Sequence, residues 1–419
     1  MAQLFSPTLV SLDKARNLPL WRQPVALLVV MSVAMPMSFA VWNALLNNFV
    51  VNVAGLDGVG IGWLQSVREI PGFLAVGVIA VIMFMREQIL GVVALIALGA
   101  AVAVTAFFPT FSGLLVTTMI SSLGFHYYET VNQSLQLQWI DRHRAPQVIG
   151  WLVAAGSGAS LAAYGLIVIG WKYWGLTYVW AYLLGGGATV LLAIICLAVY
   201  PQFESRTPQA RRMVLRRRYW LYYALQFVAG ARRQIFVVFA AFMMVEKFGF
   251  DVHALTALFL INYVANIVLG PLVGRLVTLF GERRAMVLEY SGLVLVFLSY
   301  GGLYVFDWSW RVAGALYVID HLLFALAFAQ KTYFQKIAAP EDIAPTAAVA
   351  FTINHIAAVF LPAALGYLWV RSPESVFVLA ALMAVVSLVL VAMIPRHPRA
   401  GHETVFASGW RPFGAGWRP

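Results

Sequence analysis

Long apolar stretches alternate with short polar or basic turns along nearly the whole chain, and most are of the length that crosses a bilayer as a helix. Twelve are predicted, at roughly 24–46, 60–84, 87–107, 111–138, 147–170, 175–200, 220–246, 253–279, 284–306, 309–336, 344–368 and 374–394. Several exceed the roughly 20 residues that a span needs, so they tilt or run past the hydrocarbon. Lipid offers the backbone no hydrogen-bond partner, which selects helices over open strands. The prediction is an all-α polytopic membrane protein.

The turns sort by charge. Arg86, Arg142 with Arg144, the arginines from Arg206 to Arg218, Arg283 with Arg284, and Lys336 fall on one side together with both termini. The opposite turns offer mainly Lys172, Lys247, Arg311 and Arg371. Basic excess marks the cytoplasmic side, so both termini are expected in the cytoplasm. The chain then divides into a cytoplasmic N-terminal tail (1–23), a six-helix bundle (24–200), a basic cytoplasmic linker (201–219), a second six-helix bundle (220–394) and a cytoplasmic C-terminal tail (395–419).

The halves echo one another. One constant shift along the chain brings Gln65 onto Asn262, Glu69 onto Asn266 and Arg86 onto Arg283, each pair in a long helix or the turn after it. It also brings His126 close to the position of His321. Six plus six helices with a basic linker is the simplest arrangement that accounts for this.

Composition agrees. With 62% hydrophobic and 11% charged residues and a mean hydropathy of +0.83, the chain cannot cover a water-soluble surface. The net charge of +11 collects in short linkers and reports topology, so no nucleic-acid partner is expected. Cys196, the one cysteine, excludes an intrachain disulfide and a thiolate cluster. The first 23 residues lack a cleavage-like segment and read as a tail, not a removable signal. No GxxxxGK pattern is present, which argues against nucleotide hydrolysis, and no cofactor is expected.

The stretch from Gly270 to Arg284, GPLVGRLVTLFGERR, resembles the signature turn between the second and third helices of each half in the major facilitator superfamily. The acidic residue usual early in that signature is absent, and the first-half counterpart is reduced to Met85-Arg86-Glu87. The layout resembles the family over about residues 20–395. The resemblance implies twelve helices in two six-helix bundles around a central cavity, and transport by alternating access. Gly270 and Gly274 share a helical face that permits close packing. Arg283 and Arg284 would hold the turn at anionic headgroups or neighbouring helix ends.

Charges inside the spans carry the functional reading. Arg68 and Glu69 fall in span two, Arg232 and Arg233 midway along span seven. An arginine in hydrocarbon is expensive unless it faces a partner or a wet cavity. One reading is a cavity whose guanidinium groups clasp an anionic substrate. The other is structural, with Arg68 paired to Glu69 or Glu129 and one of Arg232 and Arg233 bonded to helix carbonyls. Adjacent helical residues point about 100° apart, so one of each pair at most aims into a central cavity.

Span four carries His126, Glu129, Gln133 and Gln136 on one face, with Asn132 beside them. Such a face avoids lipid. Glu129 and His126 are expected to exchange protons, because imidazole titrates near neutrality and a desolvated carboxyl keeps its proton until water reaches it. A set of interhelical hydrogen bonds is the alternative. In the second half, Asp320 and His321 are further proton-coupling candidates. Gln133, Asn262, Asn266 and Asn354 are expected to contact substrate together with the arginines. Glu69, Arg283, Arg284 and Glu289 are expected to gate, Glu289 through its closeness in sequence to the Arg283-Arg284 turn. The scattered histidines suggest a metal, but no HExxH, cysteine cluster or Met-rich run supports a dedicated site.

Pro36, Pro71, Pro271 and Pro362 each release a backbone carbonyl within a span and are expected to kink it. Gly156, Gly158 and Gly185-Gly186-Gly187 permit close helix packing. Trp410 and Trp417 in the final Gly/Pro-rich stretch are expected to rest at the membrane interface.

The function expected is proton-coupled secondary transport of an organic anion or anionic conjugate across the inner membrane, with protons and lipids as the other partners and no catalytic step. Efflux of amphipathic drugs, movement of a metal chelate, and a non-transporting receptor or assembly factor are the alternatives.

Overall fold

The computed structural model describes residues 9–73, 77–82, 84–140, 145–204, 215–339 and 342–406. The chain is built from helices: α1 (Leu12–Ala15), α2 (Pro24–Asn52), α3 (Gly58–Phe73), α4 (Gly77–Ile82), α5 (Glu87–Val104), α6 (Phe111–Trp139), α7 (Ala145–Tyr173), α8 (Tyr178–Val199), α9 (Trp220–Gln234), α10 (Ala241–Glu246), α11 (Val252–Phe280), α12 (Glu282–Val305), α13 (Trp310–Phe324), α14 (Phe328–Ile337), α15 (Ile343–Arg371) and α16 (Pro373–Ala392). Among the described residues ten helices are long and apolar enough to cross a membrane. Of the remaining two predicted spans, the second lies partly outside the described residues, its described parts being α3 and α4. The fourth, α6, runs 29 residues but carries the polar stripe, which lowers its hydropathy.

Local chemistry sets the helix ends. Thr110 and Thr177 cap α6 and α8, their hydroxyls accepting from the amides of Gly113 at 3.2 Å and Trp180 at 3.5 Å. Asp57 accepts from Val59 N at 3.0 Å and Gly60 N at 3.1 Å and so opens α3. Between α11 and α12 the chain turns at Gly281 alone, whose φ of 80° a side chain would resist. α2 and α15 run on past Pro36 and Pro362 as single helices.

Two compact units emerge. The first comprises Met1–Leu56, Trp63–Ala210 and Phe250–Leu260, the second Asp57–Gly62, Arg211–Gly249 and Ile261–Pro419. In the first, α2 packs on α7 and α8, while α5 packs on α6 and α8. Gly99 and Gly186 bring α5 and α8 into backbone contact; a Cβ on Gly186 would strike the Gly99 carbonyl oxygen. In the second unit, α9 packs on α15 and α16, and α12 packs on α13 and α16.

The described parts of both tails are held by hydrogen bonds. Leu9–Val10 (β1) pairs in parallel with Gln202–Phe203 (β2), a small exception to the all-α prediction. The Arg22 guanidinium Nε donates to the Val199 carbonyl at 3.1 Å. At the other end Glu403 is buried, its carbonyl accepting from the Tyr333 hydroxyl at 2.6 Å. Trp410 and Trp417, and the loop arginines Arg142 and Arg144, lie outside the described residues.

Candidate functional site

In the first unit the charges of span two meet each other. Arg68 and Glu69 are neighbours on α3, and the Nη2 of Arg68 lies 2.6 Å from Oε1 of Glu69. Trp42 of α2 covers the guanidinium, whose carbon sits 5.5 Å from the indole centroid. The hydroxyl of Ser122, on α6, donates to the Arg68 backbone carbonyl. A Glu69 carboxylate oxygen and a ring nitrogen of His126 lie within 4.8 Å. Glu69 and His126 are buried, while the Arg68 side chain keeps 15% of its surface exposed. Apolar helix faces hold an arginine, its acid, an aromatic plate and an imidazole together, a set that can hold negative charge and pass a proton.

The polar stripe of α6 divides. His126 is buried, Glu129 and Asn132 are half-buried, and Gln133 is exposed. The helical spacing places His126, Glu129 and Gln133 on one face, and His126 lies beside Glu69.

In the second unit the sequence reading of Glu289 needs correcting. Its partner is Arg232, at 3.2 Å from Nη2 to Oε1, and not the Arg283-Arg284 turn. Both groups are buried, with side-chain exposures of 2% and 0%. Tyr290 lies against the same guanidinium, 4.8 Å from its carbon to the ring centroid. Asp320 on α13 is buried and lies within electrostatic reach of both Arg232 and Glu289. Arg232 is thus turned into the helix packing, while Arg233 is half-buried on the adjoining face. At the start of α12, Arg283 is half-buried and Arg284 exposed. Glu282 beside them pairs with Lys336 at 2.6 Å.

The remaining candidates also separate. Asn262 and Asn266 share a face of α11, yet Asn262 is buried and Asn266 exposed. Asn266 Nδ2 meets His321 Nε2 at 2.7 Å, with Phe236 beside that imidazole, the ring centroids 6.1 Å apart. Asp320 and His321, adjacent in sequence, therefore serve two environments. Asn354 donates to the Gln226 carbonyl at 3.2 Å and ties α15 to α9.

Two features escaped the sequence reading. Directly after Arg232, Arg233 and Gln234 the helix widens into a π-helix over Ile235–Ala240, a local irregularity that often accompanies function. No local spacing announces it. The second is Asp342, on the loop before α15. It is buried and accepts from Arg218 Nη2 at 2.6 Å, from the Tyr219 hydroxyl at 3.0 Å and from Arg216 Nε at 3.3 Å. An acid ending a charged loop opposite a run of linker arginines was the available signal.

Apolar helices of spanning length, with charges paired between them, define a polytopic membrane protein. Residues 24–362 match the family model of the Major Facilitator Superfamily, and the chain belongs to that family. It is a multi-pass membrane protein of secondary active transport, not an enzyme. No curated protein matches it in sequence. Solved structures share its fold. The nucleoside transporter NupG aligns with TM-score 0.69 at 13% identity, over 88% of this chain and 98% of that one. A bacterial homologue of the iron transporter ferroportin, in an inward-facing state, gives 0.70 at 10% identity over 89% and 98%. A bacterial homologue of the human lysosomal transporter Spinster gives 0.67 at 14% identity over 88% and 95%.

Proposed function

We propose that the chain is a proton-coupled transporter of organic anions in the inner membrane, with twelve helices in two six-helix bundles around a central cavity, alternating access, and both termini cytoplasmic. The observation that carries this reading is the Arg68-Glu69 pair, part-exposed beneath Trp42 and next to His126.

The chemistry follows from competition for one guanidinium. While Glu69 is ionised it occupies Arg68. A proton taken up by Glu69, passed by His126, cancels the carboxylate and leaves the Arg68 fork to a solute anion, which it can bind bidentately. Return of the proton restores the internal pair and expels the anion. Proton and anion thus travel together, because either one alone would leave a charge stranded in the bundle. Glu129 and Gln133 extend the same face of α6 for the polar remainder of the solute. The fold neighbours are transporters named for nucleosides, iron and D-xylose. At such identities they support the architecture and leave substrate choice to the residues of this chain.

The test is counterflow and accumulation in proteoliposomes with a panel of carboxylates, phosphates, neutral sugars and lipophilic cations, under pH gradients of both signs. Accumulation of an anion with the pH gradient is expected. Accumulation confined to lipophilic cations would favour drug efflux, and saturable binding without flux would favour a receptor; either result overturns the reading.

A further inference from the structure

The segment ahead of the first long helix is fixed at one end of the first unit. Leu20–Arg22 forms a single 3-10 turn directly before α2. The bond from Arg22 Nε to the Val199 carbonyl ties that turn to the last residue of α8. The Gln23 side-chain amide donates back to the carbonyls of Leu18 at 3.0 Å and Arg16 at 3.3 Å. Because α2 and α8 are both apolar and of spanning length, one beginning and the other ending here, the turn stands where two helices leave the hydrocarbon. The start of α5 joins the same end: the Gln88 side chain accepts from the Phe203 amide and donates to the Pro201 carbonyl, each at 2.9 Å. It thereby secures β2, which carries β1.

What this end presents outward is apolar and basic. Leu20 is 81% exposed and Trp21 61%, and Phe84, in the turn leading to α5, is 90% exposed. The Arg22 guanidinium carbon lies 5.7 Å from the Trp21 ring centroid, and Lys14, Arg16 and Arg86 are exposed. Among the described residues none of these four cations forms an ion pair. The acids nearby in the chain are Asp13, Glu87 and Glu204. Glu87 is taken up by α6, accepting from Ser134 Oγ at 3.1 Å and Gln138 Nε2 at 2.8 Å, so the cations outnumber the acids left facing outward.

An indole at this level suits the boundary between headgroups and acyl chains, where its ring is buried and its N–H stays wet. The guanidinium groups beside it suit phosphate, which they bind as a planar fork. A protein partner would have to displace lipid from the same apolar side chains, and the charge balance selects an anionic headgroup over a zwitterionic one.

We propose that Leu20 and Trp21, with Lys14, Arg16, Arg22 and Arg86, form a docking surface for anionic phospholipid that holds the N-terminal segment and the end of α8 against the leaflet. The surface depends neither on the solute nor on which side of the membrane the termini face.

Full-length protein in lipid nanodiscs tests it, with a bimane label on Asn17→Cys, an exposed position close to Trp21 in the chain. Cys196 is buried, and protein without the new cysteine, taken through the same labelling, supplies the blank. Phosphatidylglycerol and phosphatidylcholine, each carrying a nitroxide high on the acyl chain, are compared as quenchers at equal mole fraction, with acrylamide as the quencher in water. The lipid quenchers are expected to reach the label, and phosphatidylglycerol should be several-fold the more effective. Each cation at an anionic surface strengthens binding roughly fivefold, so Lys14→Gln with Arg16→Gln and Arg86→Gln should bring the two lipids level. These three side chains are exposed and make no hydrogen bond among the described residues, so the fold does not depend on them. Trp21→Ser should turn the label toward acrylamide. Quenching by acrylamide alone in the otherwise wild-type protein overturns the surface. Equal quenching by the two lipids there, or a preference that survives the triple substitution, overturns its selection of anionic headgroups.

Discussion

The two buried arginine pairs use the same ions at nearly the same reach and differ in what surrounds them. Arg68 has one acid, an indole face and a partly accessible side chain. Arg232 has a paired acid, a second acid close by and almost no accessible surface. A guanidinium that solvent can reach can trade its partner for a solute. One that is sealed can only redistribute charge among its neighbours. On the proposed function, exchange of solute falls to the first unit, and the sealed pair of the second holds its charge.

The comparison breaks most readily at Arg232. Arg232→Met leaves Glu289 and Asp320 without a counter-charge, and removing one member of a buried pair costs about 3–5 kcal/mol. Thermal unfolding in detergent should therefore fall sharply for Arg232→Met and recover in part in Arg232→Met with Glu289→Leu, where one of the two uncompensated carboxyls is gone. Arg68→Met should lower unfolding far less, because water reaches that site. Equal losses at the two arginines would show that accessibility does not separate the pairs.

Transport sharpens the contrast from the other side. A hydrogen bond to a charged group contributes about 1.5–3 kcal/mol, so Arg68→Gln should weaken the transported anion by roughly 10- to 100-fold. Arg68→Lys keeps the charge without the planar fork and should fall between the wild type and Gln for carboxylates. Initial rates across substrate concentrations decide this. An unchanged concentration dependence in Arg68→Gln removes Arg68 from the solute site.

Ten of the spans were legible in the sequence because hydropathy is summed over about twenty residues and survives local irregularity. The repeat held some structural content: Gln65 and Asn262, related by the common shift, are both buried with an amide oxygen that has no hydrogen-bond partner among the described residues. Arg68 and Glu69 could be paired from adjacency. The partner of Arg232 could not, since Glu289 is 57 positions away on a helix whose rotation depends on packing against α13 and α16. The same dependence hid Trp42, which reads in sequence as one more aromatic in an apolar span. Periodicity gives the face of one helix; it does not say what that face meets.

Trp42 offers a finer cut. Its ring stabilises the cation by about 1 kcal/mol if partly desolvated, so Trp42→Leu should raise the apparent KM for the anion roughly fivefold and leave maximal flux little changed. Tyr290→Leu, at the sealed pair, should instead lower the unfolding temperature without a selective effect on KM. If the two variants exchange these effects, solute exchange and charge storage have been assigned to the wrong units.

The smallest effect is expected where charge is paired outside the membrane. Burial alone would raise the Asp342 carboxyl, but hydrogen bonds from Arg218, Tyr219 and Arg216 outweigh it and hold the group below its ordinary range. A carboxyl depressed in the folded state adds stability above its unfolded value of about 4 and loses it as pH falls through the folded value. Wild-type unfolding temperature should therefore drop more steeply than that of Asp342→Asn below about pH 4, the gap staying constant from there to neutrality. Arg216 is largely exposed at 54%, so added salt should narrow the gap. The two buried arginine pairs, which ions in solution barely reach, should keep their own differences under the same salt. Parallel acid profiles for wild type and Asp342→Asn would mean that the linker arginines hold Asp342 no more tightly than water does.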